Sequence, residues 1–459
     1  MFYGRERELR QLREEINKQG QKSAVLIYGK RRVGKSTLIR EAAKSFHGVV
    51  INFLCVSSTW EGNLDLLGRS VCQALDLPSI RFETIFDLMS YLGSLDQPIL
   101  LILDEYSYLK QTRKQNEVDS YLQNVIDHMA SNTKLILCGS YITMMKELLE
   151  EGNPLFGRFT LIQHLREFDY YDAAAFYPDL SVQDKVAYYA VFGGSPYVLS
   201  NLNYQESIEE NIKKVLLPET SIIRSHIENI MLKEIQKSFD IRILEVLGNG
   251  KKRYSEISAI LRNHETGLLE KQLKNLLNME TIQKTEPINR PDDARKRFYE
   301  ITDNLMRFYF AFMFANSGSI ARIGEEQFYF TRIQASLRQF ISRRLEGIAL
   351  QYFRRMSGRA PFDDLIDYGT FWYDDPVHHR NGEFDCVVKK TNGLFDFYEC
   401  KYYDHPMKIT ECEEEEAQVQ EVMNRYPKMI DRIGFICTGG FEAGMETKYL
   451  LIDGNTLYR

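Results

Sequence analysis

Gly29-Lys30-Arg31-Arg32-Val33-Gly34-Lys35-Ser36 places two glycines five positions apart, followed directly by a lysine and a hydroxyl side chain. Before it, Ala24-Val25-Leu26-Ile27-Tyr28 is an apolar, partly β-branched run of buried-strand length, and after it Thr37 to Lys44 reads as a helix. Strand, glycine turn and helix in that order make a cradle for a polyphosphate. Glycine leaves backbone N–H groups sterically open, and the positive end of the helix dipole faces the same turn. In this reading Gly29, Arg32, Val33 and Gly34 line the turn and Lys35 reaches the outer phosphates of ATP. Ser36, with Thr37 beside it, offers a hydroxyl to Mg²⁺. A plain glycine turn is the alternative, and the flanking strand and helix weigh against it.

At 459 residues the chain is too long for one ordinary core and should divide into about two to four domains. Hydrophobic residues make up 44% and charged residues 27%, an ordinary balance that gives no case for disorder. No apolar run approaches the roughly 18 residues needed to cross a bilayer. Met1-Phe2-Tyr3-Gly4-Arg5-Glu6 lacks the apolar core of a signal peptide, so a cytoplasmic location without a membrane partner is expected. Seven scattered cysteines favour reduced thiols over a disulfide or zinc framework. The net charge of −6 is unevenly spread: residues 1–60 carry 12 Lys/Arg against 5 Asp/Glu, residues 320–360 carry 8 against 3, and residues 361–459 carry 10 against 20. That asymmetry implies separate surfaces with separate partners.

Gly4-Arg5-Glu6-Arg7-Glu8-Leu9 opens an amphipathic helix with Leu9, Leu12 and Ile16 on one face. A docking helix is one reading. A hydrophobic-Gly-Arg-x-x-Glu stretch 25 residues ahead of a phosphate loop also resembles the N-terminal box of the STAND and AAA+ ATPases, which implies Arg5 near the nucleotide base. Pro98-Ile99-Leu100-Leu101-Ile102-Leu103-Asp104-Glu105 is a strand buried on both faces that ends in two carboxylates, where open α/β sheets bind ligands. Asp104 would hold the water shell of Mg²⁺ and Glu105 would polarise the attacking water. Lys134-Leu135-Ile136-Leu137-Cys138-Gly139-Ser140 ends in a hydroxyl where a γ-phosphate sensor would lie. Pro154-Leu155-Phe156-Gly157-Arg158 then offers an arginine for the γ-phosphate, in its own site or a neighbour's, with a structural arginine as the alternative.

Residues 161–235 read as mostly helical, interrupted by Phe192-Gly193-Gly194-Ser195-Pro196-Tyr197. The Gly-Arg-Glu opening, the phosphate loop, the Asp-Glu strand, the Pro-Leu-Phe-Gly-Arg turn and the Gly-Gly-x-Pro turn together resemble a family of P-loop ATPases abundant in archaea and found in many bacteria. By analogy with the related STAND class, the resemblance implies nucleotide contacts from Gly194 and Pro196. Residues 241–300 then give three short apolar-faced helices and a polar hairpin with Lys284, Arg290, Arg295, Lys296 and Arg297, the pattern of a winged helix. Its third helix carries Glu265 and Glu270 beside Lys271 and Lys274, and the segment has only 12 basic residues against 9 acidic ones. DNA binding and intramolecular packing both remain open there.

Glu383-Phe384-Asp385-Cys386-Val387-Val388 and Leu394 to Lys401 read as two strands around Thr391-Asn392-Gly393. Asp385, Glu399 and Lys401 match the signature of the PD-(D/E)XK nuclease superfamily, and Glu346 matches its upstream acid. Such a domain is part of the family resemblance. It implies a second divalent metal on Glu346, Asp385 and Glu399, with Lys401 neutralising charge on a phosphodiester. Gln418 and Gln420 would be accessory, whereas Glu413 to Glu416 would repel DNA; an acidic face with one ion pair is the alternative. A two-residue turn at Asn392-Gly393 would set Asp385 opposite Cys400, while a three-residue loop with Gly393 left-handed sets it opposite Glu399. The second is expected.

The whole is read as an α/β chain. A P-loop ATPase core with a parallel sheet spans 1–165, a helical lid 166–235, a winged helix 236–315 and a nuclease-like α/β domain 316–459. ATP and ADP are the expected ligands. DNA, a second copy of the chain or another protein are the further partners considered. Either ATP turnover controls a metal-dependent nuclease, or it drives a switch that binds DNA or protein without cutting.

Overall fold

The computed structural model describes residues 2–113, 116–231, 239–262, 267–375, 380–424 and 429–459. Glu265 and the boundary expected between 235 and 236 lie outside them. The chain forms two compact units, Met1–Glu167 and Phe168–Arg459. The boundary expected at 315 falls inside the second.

In the first unit β1 (Ser23–Tyr28), β2 (Val49–Leu54), β3 (Ile99–Asp104), β4 (Thr133–Gly139) and β5 (Leu161–His164) form a parallel sheet of order β2-β3-β4-β1-β5. Alternation sorts the aliphatic runs into two cores. Val25, Ile27, Leu100, Ile102 and Ile136 pack with α1 (Glu6–Ile16) and α2 (Lys35–Ala43). Leu26, Leu101, Leu103, Leu135 and Leu137 pack on the other face with α3 (Trp60–Ala74), α4 (Ile85–Gly93), α5 (Tyr106–Lys110) and α6 (Glu117–His128). Helices on both faces are what a parallel sheet requires, and each buried Leu or Ile contributes roughly 1.5–3 kcal/mol. The order sets β1, β3 and β4 side by side, so the loops at their carboxyl ends share one edge. One correction applies to the helical reading of 161–235: it begins with β5, an edge strand too short, at four residues, to show alternation.

In the second unit, short helices including Val182–Phe192 and Pro196–Leu199 lead to three helices, Arg242–Gly248, Tyr254–Leu261 and Leu268–Asn278. With them goes an antiparallel sheet of β6 (Lys252–Arg253), β7 (Ile282–Thr285) and β8 (Phe298–Ile301) in the order β6-β8-β7. A long helix, Gln334–Met356, precedes a mixed sheet of β9 (Leu365–Asp375), β10 (Arg380–Lys390), β11 (Phe395–Lys401), β12 (Ile430–Cys437) and β13 (Leu450–Asp453). Its order is β13-β12-β11-β10-β9, with β9, β10 and β11 antiparallel neighbours and β11, β12 and β13 parallel ones. Phe395 and Phe397 face the core shared with Cys412 and Val419 of the helix Ile409–Met423. Tyr398 faces the long helix, its ring 4.8 Å from that of Phe353.

Candidate nucleotide site and C-terminal carboxylate site

The glycine loop joins β1 to α2. Gly29 has no room for a side chain, because a Cβ there would meet the Leu165 carbonyl oxygen at 2.0 Å. Arg32 and Gly34 take positive φ, 66° and 94°, turning the backbone into the first turn of α2, where Ser36 and Thr37 are exposed. Val33 anchors the loop by burying its side chain between α1 and α2. Lys35 is buried, and its ammonium donates to the Gly29 and Lys30 carbonyl oxygens, both at 2.9 Å.

Three further side chains, Asp104, Glu105 and Ser140, meet this loop at the sheet edge. Ser36 Oγ donates to Asp104 Oδ2 at 2.8 Å, and the Glu105 amide donates to Asp104 Oδ1 at 3.0 Å. Ser140 Oγ lies 2.8 and 2.7 Å from the two oxygens of Glu105. Glu105 itself is left-handed, φ 53° and ψ 44°, at the junction of β3 and α5. A non-glycine residue held there costs about 1 kcal/mol or more and commonly marks a working site. The paired hydroxyl and carboxylate form the oxygen donor set that suits a hard cation such as Mg²⁺. The glycine cradle suits phosphate oxygens.

Arg5 reaches the loop from the start of α1: its guanidinium donates to the Val33 carbonyl at 3.3 Å and to that of Arg166, and it pairs with Glu8 at 3.7 Å. Arg158 requires a correction. Its guanidinium grips Asp127 near the end of α6, at 3.0 Å through Nε and 3.1 Å through Nη2. Lys22, just before β1, donates to the Ile126 and Asp127 carbonyls at 2.8 Å, which fixes this pair at the amino-terminal edge of the sheet. The glycine loop lies at the opposite end of β1, roughly 20 Å away for a six-residue strand. Arg158 is therefore not at its own chain's phosphate site. Within the loop itself, Arg31 Nη2 donates to the Tyr108 hydroxyl at 3.0 Å and its guanidinium lies 5.7 Å from the Tyr141 ring centre. Nothing in the sequence singles Arg31 out from its basic neighbours. Gly194 and Pro196 belong to the second unit. There Gly194 accepts from the Phe168 amide at 2.9 Å and Pro196 starts a short helix.

At the C-terminal hairpin the expected register is found. Lys389 pairs with Phe395 and Val387 with Phe397, while the Lys390 amide donates to Leu394 at 2.9 Å. The loop is three residues long, with Gly393 at φ 82°. The pairing stops at Val387, and an extra residue in β10 between Phe384 and Val387 places Asp385 in a bulge. Bulges re-aim side chains, and Asp385 accepts from Lys251 at 2.7 Å. Lys401 pairs with Glu399 at 3.0 Å and with Glu415 at 2.5 Å. Burial, then Asp385, push the Glu346 carboxyl up to about 8, and burial also raises that of Glu399. The three acids thus lie within each other's field without being gathered. Among the described residues no three His, Cys, Asp or Glu side chains stand close enough to hold a metal ion. Two of the three are paired with lysines, Asp385 with Lys251 and Glu399 with Lys401. Gln418 and Gln420 lie on the helix Ile409–Met423 with Glu413 to Glu416.

The basic hairpin between β7 and β8 is docked on β9. Arg290 and Lys296 reach Asp374 at 2.6 and 3.3 Å, and the Trp372 indole donates to the same carboxylate at 2.8 Å. Trp372, then Arg290 and Lys296, hold the Asp374 carboxyl down at about 2. Sequence periodicity gave no sign of this contact. No helix among the described residues is long and apolar enough to cross a membrane.

Residues 2–202 match the family described as an ATPase domain predominantly from Archaea, and residues 309–419 match archaeal and bacterial proteins of unknown function. An uncharacterized protein of Methanocaldococcus jannaschii is 26% identical over 400 residues, 85% of each chain. Among solved structures, a Walker-type ATPase of Pyrococcus abyssi is similar over 67% of this chain and 96% of its own, at 19% identity and a TM-score of 0.48. The ORC2 protein of Aeropyrum pernix, in its ADPNP–ADP complexes, covers 70% of this chain and 96% of its own, at 14% identity and a TM-score of 0.46. The glycine loop, the Asp-Glu strand end and the parallel sheet all fall within residues 2–202, the stretch that matches the ATPase domain found predominantly in Archaea.

Proposed function

We propose that the chain binds ATP with Mg²⁺ at the β1–α2 loop, hydrolyses it there, and couples the nucleotide state to a metal-dependent, nuclease-like C-terminal site. The observation that carries the first part is the convergence of Ser36 with Asp104 and of Ser140 with Glu105 at one sheet edge beside Lys35. Mg²⁺ supplies charge neutralisation between phosphates when bound. Ser36 and Asp104 hold its shell, Lys35 leaves its carbonyl partners for the outer phosphates, Arg5 fixes the loop, and Glu105, steadied by Ser140, orients the attacking water. Gly194 and Pro196 are proposed as contacts from the helical lid, and Arg158 as a residue acting only on a neighbouring copy.

The test is nucleotide binding and turnover in two variants. Lys35→Ala should abolish ATP binding or nearly so, whereas Glu105→Gln should retain binding within a few-fold and lose turnover by about 10²-fold or more. Unchanged affinity in the first variant, or unchanged turnover in the second, sinks the assignment.

For the second part, Glu346, Asp385 and Glu399 would hold a divalent cation that activates water, with Lys401 beside the phosphodiester. The expected hairpin register and the shared field of the three carboxylates support it. The segment 241–301 has the element order of a winged helix. Its docked hairpin favours intramolecular packing over DNA reading. The alternative, a switch that binds a partner without cutting, draws support from the acidic run on the helix beside Lys401.

A further inference from the structure

Glu105 holds a left-handed backbone, φ 53° and ψ 44°, at the start of a helix of only five residues, α5. A helix that short is not stable alone in water, and a non-glycine residue keeps such a conformation only where its surroundings over-determine it. Whatever holds α5 in place therefore holds Glu105.

One side of α5 is fixed by a carboxylate. Asp119 of α6, fully buried, accepts from the Tyr106 hydroxyl at 2.6 Å, from the Lys110 ammonium at 2.8 Å and from the Asn153 amide at 2.8 Å. The other side ends on the glycine loop. Arg31 Nη2 donates to the Tyr108 hydroxyl at 3.0 Å, and the Tyr108 amide donates to the Glu105 carbonyl at 2.9 Å. The same guanidinium lies 5.7 Å from the ring centre of Tyr141, the residue after Ser140, whose hydroxyl meets the Glu105 carboxylate. The Tyr108 and Tyr141 rings themselves stand edge to face, their centres 6.4 Å apart. Arg31 thus bears on Glu105 along two routes, on its backbone through Tyr108 and toward its carboxylate through Tyr141.

We propose that Arg31 is a positioning residue for ATP hydrolysis: engaging Tyr108 and Tyr141, it ties the glycine loop to α5 and sets where the Glu105 carboxylate stands relative to a phosphate held in the loop. This rests on the reading of Glu105 as the group that orients the attacking water. A planar guanidinium can donate in its plane and lie against an aromatic ring at once, a combination that the compact ammonium of lysine does not reproduce. The loop places the phosphate and Glu105 places the water, so the tie governs the distance between the reacting groups. A misplacement of about 1 Å can cost about 10²-fold in rate. A guanidinium serving only as positive charge beside the phosphates would act on affinity instead, and a lysine would replace it.

The experiment is steady-state ATP turnover of the full chain, with affinity for a non-hydrolysable ATP analogue and melting temperature measured on the same samples. Arg31→Lys and Tyr108→Phe should each lower kcat by about tenfold and leave affinity for the analogue within about threefold, and the double variant should be no slower than the slower single one, because both changes remove one link. Melting temperatures should stay within a few degrees of the parent. Parent-level turnover in Tyr108→Phe, a loss of affinity in place of kcat in Arg31→Lys, or losses that multiply in the double variant overturn the proposal. If Arg31→Lys does not fold, Tyr108→Phe, which removes a single hydroxyl, decides alone. Turnover that persists at the parent level in Glu105→Gln sinks the hydrolysis reading and the tie with it. Turnover that needs Glu105 but not the Tyr108 hydroxyl sinks the tie alone.

Discussion

Arg158 is where residue chemistry and residue position part company. Its type and its place after a Gly turn suit a γ-phosphate, but its guanidinium is engaged by Asp127 at the far edge of the sheet. The pair is partly exposed, 29% and 40% for the two side chains, so it contributes only about 0.2–1 kcal/mol. Arg158→Ala should therefore leave ATP turnover of the dilute chain within twofold and lower the melting temperature by no more than a few degrees. A turnover loss of tenfold in dilute solution would contradict this placement, while a loss seen only at high protein concentration would assign Arg158 to a neighbouring copy. Lys35, Ser36, Asp104, Glu105 and Ser140 were legible in the sequence because each sits at the end of a strand or the start of a helix, where the main chain alone fixes its place. Arg158 sits in a loop. Only the partner it finds locates it.

At the scale of elements, the β1–loop–α2 unit depends on the close passage of β5. A Cβ on Gly29 would strike the Leu165 carbonyl at 2.0 Å, and Leu165 is tied to the end of β1 by a 2.7 Å hydrogen bond to Tyr28. Backbone cannot give way as a side chain can. Gly29→Ala is expected to destabilise the first unit by roughly 1–3 kcal/mol and to weaken ATP binding together with stability. Thermal unfolding and nucleotide titration of the same sample check it, and a variant with parent stability would mean that β5 shifts freely. Periodicity announced β1, β3, β4 and the β10–β11 hairpin, since burial on two faces or strict alternation is written in the residue types. The seam between β9 and the β7–β8 hairpin was not legible. Alternation states which face of Phe371-Trp372-Tyr373 is buried, never which segment covers it.

For the second unit as a whole, one carboxyl sets a pH dependence. Glu346 titrates near 8 in the fold, against 4.5 for an ordinary glutamate, because burial and then Asp385 disfavour its charge. Between those values the folded unit holds a proton that the unfolded chain has lost, so stability falls as pH rises, by up to about 1.4 kcal/mol per pH unit. In chelator-containing buffer the parent should lose melting temperature between pH 5 and 8.5, and Glu346→Gln should lose distinctly less across the same interval, the remainder coming from carboxyls such as Glu399 that burial also raises. Parallel curves for the two proteins would refute it. The seam on Asp374 has a different dependence. Its ion pairs are only partly buried, with Asp374 itself 40% exposed, and at 0.1 M salt charges are screened over about 10 Å. Salt therefore weakens this clasp only modestly, because its pairs, 2.6 and 3.3 Å long, lie well inside the screening distance.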